Sequence, residues 1–255
     1  MVALVGGGGK TTLMFALARE LEKAGEWVIC TTTTKILPPL REEAGLLFLS
    51  SDDGRIVDFA RQQMSQGQRI TLGRGKLADG KLAGLSPQLV NKLGGAFPLS
   101  YIIVEADGSK GRPLKAPSPW EPVIPESCAV VVALAGVDGV GVRLDQEKVF
   151  RPEIVGRLTH LSPGDIISVE AVAQLFLDPE GLTKGAPACA RLIAFINKVD
   201  LDPNLRTSRA LAGLLLSADK RSYERVILGQ VAKSPPVMKI ITPGKISGEI
   251  YERTA

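Results

Sequence analysis

The chain opens with MVALVGGGGKTT (residues 1–12), followed by LMFALARELEKAG (13–25). A short apolar run leads into four consecutive glycines, Gly6, Gly7, Gly8 and Gly9, then Lys10, Thr11 and Thr12. Beyond them Leu13, Met14, Leu17, Ala18 and Leu21 recur at helical spacing, and Gly25 supplies a stop. Strand, glycine loop and helix form the arrangement that binds the phosphates of a nucleotide. Glycine suits the loop because backbone N–H groups must close on phosphate oxygens with no Cβ in the way. The helix start adds unpaired N–H groups and the positive end of its dipole. In this pattern Lys10 reaches the β- and γ-phosphates and the Thr11 hydroxyl sits on Mg²⁺. The common spacing GxxxxGK[ST] places a further glycine where this chain has Leu4, so counted from Gly6 the loop is about two residues short. A plain glycine turn in an α/β protein is the rival reading, and it leaves Lys10-Thr11-Thr12 at the helix start unaccounted for.

Outward from that loop, strand and helix signals alternate. Strands are expected at 27–30, 46–49, 69–72, 101–104, 129–135, 192–196 and 225–228. Helices are expected at 10–24, 53–66, 86–93, 151–158, 168–176 and 205–216, with Gly94 and Gly95 ending the third. Asp79-Gly80 marks a hairpin within 73–84, and Pro38-Pro39 interrupts regular structure. The continuous apolar run at 129–135 suits a strand covered on both faces. This predicts an α/β, three-layer phosphate-loop NTPase fold, with a mostly parallel central sheet and helices on both faces. One domain over 1–255 is expected, with insertions near 36–100 and 137–190.

Two more motifs fall at predicted strand ends. YIIV (101–104) runs into Glu105-Ala106-Asp107-Gly108. Phosphate-loop NTPases hold the Mg²⁺ shell with a carboxylate at such a place. Either Glu105 or Asp107 fits: Glu105 approaching the metal through water, Asp107 as ligand or as the group orienting an attacking water. The N–H of Gly108 is then placed to sense the γ-phosphate. The second motif, Asn197-Lys198-Val199-Asp200, follows the apolar run at 192–196. In GTPases such a string reads guanine: the Asp200 carboxylate accepts from the ring N1–H and exocyclic amine, Lys198 covers the base, and Asn197 steadies the phosphate loop. Adenine offers no matching donor pair, so GTP is favoured over ATP.

Lesser candidates are Thr31-Thr32-Thr33-Thr34-Lys35, at the carboxyl end of the second strand where ligands collect, and the loop 108–115. That loop carries Lys110, Arg112 and Lys115 and suits anion binding or a switch, against a solvated loop as the rival. His160, the sole histidine, has no acidic partner in sequence reach and reads as structural or solvent-facing.

Composition narrows the class. Hydrophobic residues make up 45% and charged ones 23% of 255, enough for a full core without staples. The net charge of +4 is mild and its lysines and arginines are scattered, which argues against nucleic acid. Cys30, Cys128 and Cys189 lack metal-ligand spacing and read as buried apolar residues of a reduced, cytoplasmic protein. No apolar run reaches a membrane-span length, and because the chain enters a strand at once no signal peptide is expected.

VGGGGKTTLMFALA, TTTTK, VEADGSKGRPLKAP with EPVIP after it, and INKVD occur in this order. Together they resemble the YqeC-like proteins, described as accessory proteins of selenium-dependent molybdenum hydroxylases. The resemblance implies a phosphate-loop NTPase that assists such a hydroxylase or its cofactor intermediate. The leading expectation is thus a Mg²⁺-dependent GTP- or ATP-hydrolysing accessory factor, with Lys10, Asp107 and Glu105 in the chemistry. A small-molecule kinase and a non-catalytic nucleotide-responsive module are the rivals.

Overall fold

A computed structural model of the chain describes residues 1–64, 69–218, 223–243 and 250–254. Its central sheet contains β1 (Val2–Gly6), β2 (Val28–Thr32), β3 (Leu46–Leu49), β4 (Ile70–Gly73), β5 (Tyr101–Glu105), β6 (Val130–Gly136), β7 (Arg191–Asn197), β8 (Arg225–Gly229), β9 (Val237–Pro243) and β10 (Ile250–Thr254). Across the sheet the order is β10-β9-β8-β7-β6-β1-β5-β2-β4-β3. Every pairing from β8 to β3 is parallel, and β9 and β10 continue the other edge antiparallel. The helices are α1 (Lys10–Lys23), α2 (Arg41–Ala44), α3 (Asp53–Met64), α4 (Pro87–Ala96), α5 (Pro152–Thr159), α6 (Val169–Leu177) and α7 (Arg206–Leu216).

Strand side chains alternate between faces, and the core shows where each set goes. Leu4, Ile103, Leu134 and Phe195 pack with Met14, Phe15 and Ala18 of α1. Their neighbours Val5, Ala133 and Ile196 turn the other way, toward Val155 of α5, Phe176 of α6 and Leu211 of α7. Farther along that second face, Ile102, Val104 and Ile70 meet Ile56 of α3 and Leu89 of α4. The chain is therefore α/β in three layers, and burial on both faces explains why the central strands read as unbroken apolar runs.

Local signals placed most element ends. Ser86 accepts from Leu89 N–H at 3.2 Å with Pro87 in the first turn of α4, and Ser168 does the same for Ala171 at the start of α6. Gly25, at φ 82, carries the chain out of α1. One stop is corrected: α4 passes through Gly94 and Gly95 and ends at Ala96. Two helical glycines cost about 2 kcal/mol together, less than the burial of Leu89, Val90 and Leu93 returns. Ser65 and Gln66, the expected end of α3, lie outside the described residues. The Asp79-Gly80 hairpin joins Gly75–Lys76 to Leu82–Ala83, which pairs in turn with Lys35–Ile36. The stretch 36–100 supplies β3 and β4 to the sheet, and 137–190 supplies α5 and α6 to one face. Among the described residues no helix is long and apolar enough to cross a membrane.

Candidate functional site

β1 ends at Gly6 and α1 begins at Lys10, so the glycine turn is tight. The N–H of Gly7 donates to Leu134 O and that of Gly8 to Arg112 O, both at 2.9 Å, which commits these two amides to the protein. The first helical bond runs from Leu13 N to Gly9 O, leaving the N–H groups of Lys10, Thr11 and Thr12 without helix partners. No side chain caps this end, and the first turn holds no acid. Gly8 (φ +77) and Gly9 (φ +127) are obligatory: a Cβ would lie 2.4 Å from Gly136 N and 2.5 Å from Asn197 Nδ2. Leu4, where the longer loop pattern has glycine, is buried inside β1.

Lys10 is buried and folds back over the turn, donating to Gly6 O and lying 3.2 Å from Asp107 Oδ1 and 3.9 Å from Glu105 Oε1. The two carboxylates of 105–107 have different surroundings. Glu105, at the tip of β5, accepts from the Thr11 hydroxyl at 2.7 Å. Burial pushes its carboxyl above the ordinary range, against the pull of Lys10 and of that hydrogen bond. Asp107 turns away, onto the Gly6 N–H (3.0 and 3.1 Å) and the fully buried Lys115 ammonium (2.9 Å). Lys115 continues to Glu121 at 2.8 Å, and Glu121 to Arg151. Burial raises the Glu121 carboxyl, but the Arg151 hydrogen bond and the Lys115 charge outweigh it and hold the group below the usual range. The row Lys10, Asp107, Lys115, Glu121, Arg151 thus alternates in sign along its length, so buried charges are paired.

On the other side of β1, Asn197 donates to Gly8 O at 2.7 Å and accepts from Val231 N–H at 3.0 Å, clipping the glycine turn to the loop after β8. Lys198 lines the same cleft, with its ammonium 2.7 Å from Asp138. Asp200 is not brought to that wall. It pairs with Lys233 at 2.6 Å, and this hydrogen bond holds its carboxyl low.

A cleft of about 840 Å³ joins these groups. Residues 8–12, 34–39 and 108–111 line it, together with Glu105, Lys198 and Phe150. Gly108 is therefore on the wall. Of the threonine run, Thr31, Thr32 and Thr33 spend their hydroxyls on the carbonyls of Leu72, Glu105 and Val123, and only Thr34 and Lys35 face the cleft. Cys30 packs under α1, where burial pushes its thiol up to about 12, and His160 is exposed at the end of α5. Among the described residues, no three His, Cys, Asp or Glu side chains form a metal-binding group.

Sequence reading missed the Lys115–Glu121–Arg151 extension. Lys115 was legible only as a loop cation, although its setting between Leu114 and Ala116 in a proline-rich stretch is unusual for a solvated charge. Arg151 carried no signal, because its place depends on Val149–Phe150 pairing with Leu114–Lys115.

The family model described as YqeC protein matches residues 2–153. A curated relative, "Uncharacterized protein YqeC" of Escherichia coli (strain K12), is 30% identical over 239 residues, covering 94% of this chain and 90% of its own length. No solved structure matches the chain significantly. Sequence motifs, matched length and identity together place this chain in the YqeC family.

Proposed function

We propose that this protein binds a nucleoside triphosphate with Mg²⁺ at the start of α1 and hydrolyses it, with GTP preferred. The observation that carries the reading is the uncapped N-terminus of α1 sharing one cleft with Lys10 and with the Thr11–Glu105 oxygen pair. Free amides at a helix start, a neighbouring ammonium and no competing acid in the first turn suit a polyphosphate. Thr11 and Glu105 would hold Mg²⁺, which would supply charge neutralisation for the phosphates. Asp107 instead braces the turn and sets the starting position of Lys10. Lys10 moves from Gly6 O and Asp107 onto the phosphates when they arrive.

The guanine preference rests on the Asn197-Lys198-Val199-Asp200 string and on the clip between Asn197 and Gly8. To read the base, Asp200 exchanges the Lys233 ammonium for the ring N1–H and amine. A role in maturing selenium-dependent molybdenum hydroxylases rests on the family likeness alone.

The test is Mg²⁺-dependent phosphate release with GTP and ATP, on wild type and Lys10→Ala. Slow turnover that vanishes in the variant is expected; unchanged turnover defeats the assignment. Calorimetric titration of both nucleotides on wild type and Asp200→Ala reads the base preference. Equal wild-type affinities remove it.

A further inference from the structure

The cleft continues past the start of α1. Sheet order sets β7, with Asn197 and Lys198 at its end, on one flank of β1, and β5 followed by β2 on the other. A nucleotide gripped at the start of α1 with its base toward β7 directs its γ-phosphate toward Thr11 and Glu105 at β5. Past that pair the wall continues through residues 34–39 after β2, Lys81 of the hairpin and Lys110.

This second flank is basic and partly apolar. Among the described residues neither Lys35 nor Lys110 has a carboxylate at ion-pair distance; Lys110 sits 5.2 Å over the ring of Phe150. Lys81 pairs at 3.2 Å with Asp79, a half-exposed carboxyl kept low by Lys81 and, more weakly, by Lys35. The acids on the wall are already engaged: Glu43 accepts from Leu40 N–H at 3.1 Å, and Glu121 lies between Lys115 and Arg151. Leu37 and Phe150 supply apolar surface, and Leu37 is 69% exposed.

We propose that this flank seats a second ligand: a small anionic molecule with an apolar body. Its acidic groups lie on Lys35, Lys81 and Lys110, and its body against Leu37 and Phe150. Resting on the nucleotide reading above, the inference sets this molecule opposite the γ-phosphate, where its binding triggers hydrolysis: water adds to the γ-phosphorus, the bond to the β–γ bridging oxygen breaks, and nucleoside diphosphate and phosphate leave. Three cations lining one wall raise the local concentration of such an anion, and the apolar lining selects against bare inorganic ions.

Pyridoxal 5′-phosphate, an anionic aromatic aldehyde, tests this on the full chain. Its aldehyde condenses with a lysine amine with loss of water, and borohydride reduces the imine to a stable secondary amine that peptide mass mapping locates. Lys35, Lys81 and Lys110 should label about tenfold faster than exposed Lys92, the worth of one charge-assisted contact. Saturating Mg²⁺ with a non-hydrolysable nucleotide should leave that labelling intact while protecting Lys198. In Lys35→Gln/Lys110→Gln, labelling of Lys81 should drop with thermal stability unchanged. The proposal is overturned if the three lysines label no faster than Lys92, or if the nucleotide protects them as it protects Lys198. Should the analogue neither shift the melting temperature nor protect any lysine, the nucleotide reading falls. Selective labelling of the three lysines then still supports the anion site.

Discussion

Asp107→Asn keeps the shape of the side chain and removes one buried charge. The carboxylate lies 2.9 Å from the Lys115 ammonium and 3.2 Å from that of Lys10. At an effective dielectric of about 20 those separations correspond to attractions of about 6 and about 5 kcal/mol. Most of this offsets the desolvation of the ions, and that cost persists when one partner goes; such losses run at about 3–5 kcal/mol. Here each lysine keeps a second acid, Glu121 at 2.8 Å from Lys115 and Glu105 at 3.9 Å from Lys10. The expected loss therefore sits at the lower end, about 3 kcal/mol. For a chain of this length that lowers the melting temperature by about 6–12 °C. Thermal and urea unfolding at neutral pH measure it, with an unchanged urea slope confirming that the native state is intact. Lys115→Met combined with Asp107→Asn should cost about 2 kcal/mol less than Lys115→Met on wild type, because the pair is already broken. A loss below about 1 kcal/mol for Asp107→Asn, or strict additivity of the two changes, would refute the charged row as a structural brace.

Three further outcomes are expected. Gly8→Ala should destabilise by about 2 kcal/mol or more in urea, since its Cβ meets Gly136 N at 2.4 Å. Gly80→Ala, at a similar φ with open space around it, should cost only about 1 kcal/mol; equal losses would contradict the close approach. Asn197→Ala leaves Gly8 O and Val231 N–H unpaired, at about 1–3 kcal/mol, and should speed amide exchange at Val231; unchanged exchange there would count against the clip. For Glu121, a folded-state carboxyl held below its ordinary 4.5 contributes stability above that pH, lost as pH falls through the folded value. The stability gap between wild type and Glu121→Gln should be constant above pH 4.5 and close below it. A gap that persists into strong acid would rule out the pairing.

Much of the architecture was readable along the chain because local chemistry and burial agree. The apolar runs at β1, β6 and β7 announce strands covered on both faces, and Ser86-Pro87 and Ser168 announce helix starts through hydrogen bonds made within one turn. Where burial outweighs local preference the reading slips: α4 runs through two glycines since Leu89, Val90 and Leu93 anchor it. The edge strands β9 and β10 went unread. Their pairing is antiparallel at the rim of the sheet and carries no continuous apolar signal.

The candidate site divides along the same line. Gly6 to Thr12 and Glu105 to Gly108 are contiguous motifs whose chemistry is local, so their residue types mark a candidate site before any contact is known. Which acid meets Thr11 is a different matter. Glu105 and Asp107 are two residues apart where β5 ends, and neighbours from distant segments sort them: Thr11 draws Glu105, while Gly6, Lys10 and Lys115 take Asp107. Asp200 shows the converse, a motif residue whose partner, Lys233, comes from the loop after β8. Residue order sets hydrogen-bonding and packing preferences over a few positions. Pairing of charges across a hundred residues depends on how strands stack side by side, and that emerges only when the sheet is assembled.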